Sequence, residues 1–376
     1  MWSRTCVCAC AVVILAGGCR VDDKSFSGLD ATNLDATLVD ATLLDDAASE
    51  DAATIDGVCP DAMQLDAAPV GVWRPTASLP SSRFDLGVAT SGDVVYAVGG
   101  SRPGGEVLDQ VLFAHVEPSG DLGAWTVTSA LPSRRSGLIA VVHGGYLYAL
   151  GGGNGAAPTS DVWFAPIQPD GSVGAWVPTA SFAAPRISFA AVVVGDRVYA
   201  LGGNGIGQNY TDVLVATFAA NGSLGGWAAL TPLPAPLTVH AAFATATHLY
   251  VVGGTRTGEA PNNLVTVAPI NPDGTIGAWS ATTPFTTGRG WHASLLIGGT
   301  VYLLGGTGPG GSTYFGDAQV ATVTAGGAVG PWMPTTPLPG PRGASGAVAV
   351  GGRLYLVGGR DATTVFDAVH VMTPGP

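Results

Sequence analysis

The chain has 376 residues, of which 56 are glycine and only 11% are charged, and its formal net charge is −12. Residues 71–376 carry fifteen acids against twelve arginines, so no basic face for nucleic-acid binding is expected there. Lysine is absent after Lys24, which excludes Schiff-base chemistry from that part of the chain.

The first eighteen residues, MWSRTCVCACAVVILAGG, are predicted to form a signal peptide. One arginine precedes roughly a dozen apolar residues, too few to span a bilayer. The segment LAGGC resembles the bacterial lipobox, and this resemblance implies removal of residues 1–18 and lipidation of Cys19. A metal site formed by Cys6, Cys8 and Cys10 is the weaker alternative, because these cysteines lie in the apolar run.

Residues 19–70 are predicted to form an acidic, disordered tether behind the lipid anchor. Residues 20–70 hold twelve acids and two bases, and aspartate recurs every five residues from Asp30 to Asp45. A pentapeptide β-helix is the alternative, but the regular part would make only one or two coils. A flexible coil of about 50 residues would reach roughly 40 Å. We therefore expect an exported protein on the bacterial envelope, at the outer membrane or cell surface, whose polypeptide does not insert into the membrane.

Cysteine usage fits this interpretation. Cys59 would be the only cysteine of the mature chain besides Cys19, so no internal disulfide framework is expected. The sequence assigns no role to Cys59.

Two markers repeat six times in residues 71–376. Variants of RVYALGG place the first of two glycines at Gly99, Gly151, Gly202, Gly253, Gly305 and Gly358. A tryptophan in a GxW motif keeps the same spacing, at Trp73, Trp125, Trp176, Trp227, Trp279 and Trp332. A period of about 50 residues is typical of a propeller blade.

Each period contains four short apolar runs that favour β-strands and no helical pattern. In the third period these runs are ISFAAVVV, RVYALGG, DVLVATFAA and GGWAALTP, with an NG turn between the last two. The sequence therefore predicts an all-β protein, a six-bladed β-propeller of four-stranded antiparallel blades. Residues 71–78 form an extra tryptophan strand before the first blade, and the last blade has no tryptophan strand of its own. We therefore predict that the N-terminal strand closes the last blade.

The repeat resembles the Kelch repeat, which is also found in the central domain of galactose oxidase. The matching features are the double glycine, the tyrosine three residues before it, the trailing tryptophan, and an Asp or Asn near the start of the third strand. This resemblance implies the propeller fold, which hosts binding modules and enzymes alike. Copper-radical oxidation of the galactose oxidase type is not expected, because residues 71–376 contain no cysteine.

Strand parity places two sets of loops on one face. The connections from a fourth strand to the next first strand, and from a second to a third strand, share this face, which we call the loop face; the hairpin face is opposite. Ten residues after five of the six tryptophans stands an arginine, at Arg83, Arg135, Arg186, Arg289 and Arg342. These arginines either form a cationic ring for acidic ligands or bond loop carbonyls and neighbouring blades.

Blades 4 and 5 depart from the repeat at the same loops. Leu237 replaces the arginine in blade 4, and His240 and His292 occupy a position that is Leu, Phe or Ser in other blades. Histidine is a familiar Kelch residue there, so a structural role is one interpretation. The other is a pocket near the tunnel mouth, formed by His240, Trp291 and His292 with Asp85 across it, which would suit a sugar ring.

These patterns predict a noncatalytic module that binds an envelope protein or a polysaccharide at the loop face. A carbohydrate-active enzyme, such as an epimerase, mutarotase or lyase, is one alternative, and a structural spacer is another. We expect no catalytic residues, no cofactor, no metal, no nucleic-acid partner and a monomeric state.

Overall fold

The computed structural model describes residues 71–256 and 258–375, and the predicted signal peptide and tether lie outside them. The described residues form strands and one short 3-10 helix, Pro309–Gly311. Blades 1 to 3 consist of β2 (Gly87–Ser91), β3 (Val94–Val98), β4 (Val111–His115) and β5 (Thr126–Thr128); β6 (Ile139–His143), β7 (Tyr146–Leu150), β8 (Val162–Pro166) and β9 (Val177–Thr179); and β10 (Ala190–Val194), β11 (Arg197–Leu201), β12 (Val213–Thr217) and β13 (Ala228–Ala229).

The remaining strands form three further blades. Blades 4 to 6 consist of β14 (Ala241–Ala244), β15 (His248–Val252), β16 (Val265–Pro269) and β17 (Ser280–Thr282); β18 (Ala293–Ile297), β19 (Thr300–Leu304), β20 (Ala318–Thr322) and β21 (Met333–Thr335); and β22 (Gly346–Val350), β23 (Arg353–Val357), β24 (Val369–Met372) and β1 (Arg74–Thr76). No helix in these described ranges is long and apolar enough to cross a membrane.

The predicted fold is confirmed. Six separate four-stranded antiparallel sheets follow one another around a central tunnel, and the last has the strand order β1-β24-β23-β22. The N-terminal strand β1 pairs with β24, with Arg74 opposite Val371, and so closes blade 6 as the sequence predicts. This closure removes the exposed sheet edges that an open array would carry.

The repeated tryptophans and tyrosines join neighbouring blades. The indole N–H of Trp227 in blade 3 donates to the carbonyl of Ala180 in blade 2 at 2.8 Å, and the other five tryptophans make the equivalent bond. The buried Tyr148 of blade 2 donates to the carbonyl of Gly222 in the hairpin of blade 3 at 2.7 Å. Both residue types therefore pack neighbouring blades against each other.

The double glycine is needed where blades approach closely. Gly202 has φ of +55°, and a Cβ atom there would lie 2.7 Å from the carbonyl oxygen of Leu237 in blade 4. The next amide, of Gly203, donates to that same carbonyl at 2.8 Å, and all six blades repeat this bond. A side chain at Gly202 would thus separate the two blades.

Candidate functional site

A closed ring of backbone hydrogen bonds surrounds the tunnel mouth on the loop face. Its members lie two residues after the arginine position of each blade, and each N–H donates to the carbonyl of the preceding blade's member at 2.8 to 3.1 Å. The six members are Asp85, Gly137, Ser188, Val239, Trp291 and Ala344. We call this set the hydrogen-bonded ring.

The hydrogen-bonded ring holds its residues in an unusual conformation. Five of its members are not glycine, yet all six have φ between +50° and +59°. The left-handed conformation costs a residue with a side chain about 1–2 kcal/mol. This cost is greatest for a β-branched residue such as Val239. Such strain persists only where surrounding structure enforces it, and it clusters at functional sites.

Three cavities meet around the ring, and Trp291 lines all of them. The smallest, of about 120 Å³, lies at the ring itself. A second, of about 250 Å³, is bounded by Phe84, Tyr314 and Arg360. The third, of about 520 Å³, lies between the loops of blades 3, 4 and 5. Because 38% of Trp291 remains exposed, its indole forms an accessible aromatic wall in this grooved face.

The structure brings the four predicted pocket residues together. Asp85, His240, Trp291 and His292 all line the central cavity. Burial raises the pKa of the Asp85 carboxyl to about 6, and the positive charge of Arg360 offsets only part of this effect.

The two histidines lie deeper than Trp291. His240 and His292 are 6% and 7% exposed, and they stand where blades 1 and 2 have Leu86 and Leu138. Burial lowers the pKa of His240 to about 4 and that of His292 to about 3, so both are neutral at pH 7. No ring nitrogen of either histidine makes a hydrogen bond of good geometry with the described residues, although the backbone of Leu201 lies near His240 and the backbones of Val252 and Arg289 lie near His292. No group of three His, Cys, Asp or Glu side chains able to hold a metal ion occurs in these residues.

The five repeated arginines lie between loops rather than in these cavities. Each is at most 3% exposed, and its guanidinium donates to the carbonyl of the first glycine in its own blade at 2.9 to 3.3 Å. In three blades the arginine also pairs with the third-strand aspartate, at 3.1 Å for Arg135–Asp161 and 2.7 Å for Arg186–Asp212 and Arg289–Asp317. These contacts are those of the structural interpretation; a ligand-binding role for the arginines stays a prediction.

The other blades replace this ion pair in different ways. Arg83 bonds the Gln110 side chain at 2.6 Å, and Arg342 lies over the ring of Phe366. In blade 4, Leu237 stands in place of the arginine and Asn263 in place of the aspartate. The side-chain amide of Asn263 donates to the carbonyl of Phe285 at 2.7 Å. Blade 4 has therefore lost both charges of the pair.

Sequence reasoning missed Arg360, Tyr314, Asn204 and Asn209, all of which line the outer cavities. A signal for Arg360 was present, because the residue after the double glycine is small or polar in the other five blades. Those residues are Ser101, Gly153, Asn204, Thr255 and Thr307. Tyr314 belongs to the longest of the second-to-third strand loops, which also contains the 3-10 helix Pro309–Gly311.

No protein-family model matches the chain. It is 26% identical to Kelch-like protein 36 of Rattus norvegicus over 259 residues, which are 66% of this chain and 40% of that protein. It is 27% identical to Kelch-like protein 23 of Homo sapiens over 239 residues, covering 62% of this chain and 39% of that protein. Beta-scruin of Limulus polyphemus is 28% identical over 50% of this chain and 21% of its own length. The chain thus spans at most two fifths of these curated relatives.

A solved structure shows the same fold. The "Structure of YjhT" superposes with a TM-score of 0.65 at 16% identity, covering 79% of this chain and 97% of that chain. This likeness concerns the fold alone. Together with the Kelch-like relatives and the six observed blades, it supports a Kelch-repeat propeller.

Proposed function

We propose that this chain is a noncatalytic binding module, displayed from a lipid anchor outside a bacterial membrane, that binds a partner protein at its loop face. The observation that carries the proposal is Trp291, an exposed aromatic residue held by the hydrogen-bonded ring with cavities on either side. Aromatic anchors in grooved surfaces supply a large part of the binding energy in protein interfaces. The similarity to Kelch-like proteins supports a protein as the partner.

The position of the first described residue supports this display. The amide of Gly71 donates to the carbonyl of Thr373 at 2.7 Å, and strand parity puts both residues on the hairpin face. The chain therefore enters the described fold on the face opposite the cavities.

The test of binding is site-specific crosslinking in the full chain. A photoreactive benzoylphenylalanine at position 291, with the chain produced in its own cell, should give a discrete covalent adduct with one protein. The matched control places the same residue at Val127, which is 57% exposed on the outer strand β5. Absence of an adduct at position 291, or the same adduct from both positions, would contradict the proposal.

The lipid anchor has a separate test. Mass spectrometry of the mature N-terminus should show a diacyl or triacyl mass on Cys19, because the LAGGC segment resembles a lipobox. Retention of residues 1–18 would remove the anchor from the proposal and leave the binding test unaffected.

A glycan is the second candidate partner, and the largest cavity favours it. About 520 Å³ is within the range of small-ligand sites, and Asn204, Asn209 and Glu259 line it together with Trp291. An aromatic face flanked by amide and carboxylate groups suits a sugar ring. On a glycan array, the full chain should bind a defined set of sugars and lose this binding in Asn209→Ala, whereas an array without signal would leave only the protein candidate.

A further inference from the structure

Arg360 differs from the five repeated arginines of the loop face, which are buried and bonded to glycine carbonyls. The residue is half-buried, and the central carbon of its guanidinium lies 5.1 Å from the centre of the Phe84 ring. Its Nε donates to the carbonyl of Asp361 at 3.4 Å, and its two terminal nitrogens make no hydrogen bond with the described residues. None of the salt bridges formed by these residues includes Arg360. The side chain is thus fixed at one end and open to a ligand at the other.

The cavity that Arg360 lines is bordered by residues at positions that are not repeated between the blades. Asp85, Trp291 and Arg360 each occupy a position where the other blades carry different residues, and all three border the cavity of about 250 Å³. Phe84 and Tyr314 add aromatic walls. Packing between equivalent blades does not require these three residues, because the other blades pack without them.

The distribution of charge favours an acidic ligand on this face. Six acids and three arginines belong to the hairpin face, so the net charge of −3 in residues 71–376 comes from that face. They are Asp93, Glu117, Asp121, Asp170, Asp196 and Asp273, with Arg74, Arg197 and Arg353. The loop face is balanced, and three of its aspartates are already paired with buried arginines. An acidic partner would therefore meet less repulsion at the loop face.

We propose that this cavity receives an aspartate or glutamate side chain of the partner protein, whose carboxylate is bound by the terminal nitrogens of Arg360. A guanidinium binds a carboxylate through two parallel hydrogen bonds, and Phe84 holds its plane from behind. Trp291 and Tyr314 contact the apolar part of the inserted segment. This inference rests on the proposed function and adds to it the chemistry of the partner.

Asp85 sets the strength of this interaction. Its carboxylate lines the same cavity and interacts with the charge of Arg360. An ionised Asp85 repels an incoming carboxylate, so Asp85→Asn should tighten binding. Asparagine tolerates the left-handed conformation of this position, so the ring is expected to form.

The experiment selects ligands from random sequences, so the partner need not be identified first. The immobilised full chain is panned against a phage library of random dodecapeptides, and selected peptides are synthesised for calorimetry. We expect a fixed Asp or Glu in the peptides, and a loss of affinity of about tenfold or more when it becomes Asn or Gln. Arg360→Met should cause a similar loss, and Asp85→Asn a gain of a few-fold. Arg134→Met is the matched control, since Arg134 is exposed outside the three cavities and should leave the affinity unchanged.

The outcomes separate this inference from the proposed function. Peptides that bind through Trp291 without a fixed acid, or that bind Arg360→Met unchanged, would overturn the carboxylate site and leave protein binding intact. Binding of glucuronate that depends on Arg360, without any peptide binding, would assign the site to a glycan and overturn the inference. If no peptide binds, or if every peptide binds equally well when Trp291 is replaced, both the carboxylate site and the proposed protein-binding function would be contradicted. Thermal unfolding of each variant shows whether a loss of affinity comes from misfolding. Arg360→Lys, which keeps the positive charge, is included among these variants.

Discussion

Blades 2 and 4 are built from four equivalent strands but make different polar contacts. In blade 2, Arg135 pairs with an aspartate and Tyr148 donates to the next hairpin. In blade 4, Leu237 replaces the arginine, and the hydroxyl of Tyr250 has no partner among the described residues. A buried histidine, His240, also replaces the leucine found behind the hydrogen-bonded ring in blade 2. The fold therefore tolerates the loss of each polar contact at a single blade, provided that the backbone bonds between blades remain.

The comparison also locates the candidate site. The cavity of about 520 Å³ lies among the loops of blades 3, 4 and 5, and Trp291 in blade 5 stands where blade 2 has Gly137. Residues that repeat are used for packing, whereas those that change line the cavities. Three experiments test whether this division is correct, and their expected effects decrease in the order given.

Acid should destabilise the molecule through the histidines of blades 4 and 5. The pKa values of His240 and His292 in the folded chain are about 4 and about 3, below the usual 6.5. Between pH 6.5 and 4 the unfolded chain therefore binds more protons, and stability is lost as the pH falls. At pH 5 the two histidines together cost about 4 kcal/mol of unfolding free energy relative to pH 7.5.

Asp85 acts in the opposite direction. Its pKa is raised from 3.8 to about 6, so in the same window the folded chain binds the extra proton, which returns about 1 kcal/mol at pH 5. The double variant His240→Leu/His292→Leu copies blades 1 and 2, and it should remove about 4 kcal/mol of the acid sensitivity in urea unfolding measured at pH 7.5 and 5. The part that remains belongs to the half-buried His370, whose pKa burial lowers to about 4. An unchanged pH dependence in this variant would show that other groups control it.

The second experiment converts a regular blade into an irregular one. Arg186→Leu copies blade 4 and leaves Asp212, whose side chain is 35% exposed, without its partner. We expect a loss of about 2 kcal/mol in the free energy of unfolding, since the substitution removes the charge-assisted hydrogen bonds of the buried Arg186 to Asp212 and to the carbonyl of Gly202. Arg186→Leu/Asp212→Asn copies both changes of blade 4 and should recover part of the loss. Equal stability of the single and double variants would mean that an unpaired Asp212 carries no penalty.

Much of this fold could be predicted from the sequence because its signals are local and repeated. The double glycine, as at Gly202, and the tryptophan, as at Trp227, each mark a fixed point in the blade, and their common period fixes the number of blades. The closure by β1 followed from counting strands. Asp85, His240, Trp291 and His292 could be assigned to one cavity because strand parity placed their loops on one face.

The remainder depends on contacts that leave no sequence pattern. The partner of each repeated arginine is first of all a glycine carbonyl, as for Arg186 and Gly202, and backbone atoms have no signature in the sequence. Parity placed these arginines on the loop face but did not give the direction of their guanidinium groups. Arg360 and Tyr314 come together only through the curvature of the ring of blades. Their proximity is therefore a property of the folded chain that the sequence pattern does not contain.

The smallest expected effect separates the tyrosines of the same two blades. Tyr148→Phe removes a 2.7 Å hydrogen bond and leaves the carbonyl of Gly222 without a donor, so it should cost about 1 kcal/mol. Tyr250→Phe should not destabilise the protein and should gain up to about 1 kcal/mol, because it removes a buried hydroxyl that has no partner among the described residues. Equal losses in the two variants would mean that Tyr250 gains a partner in solution. Tyr199→Phe, whose hydroxyl donates to the Gly274 carbonyl at 3.0 Å, is the control and should behave like Tyr148→Phe, because blade 3 shares the regular pattern.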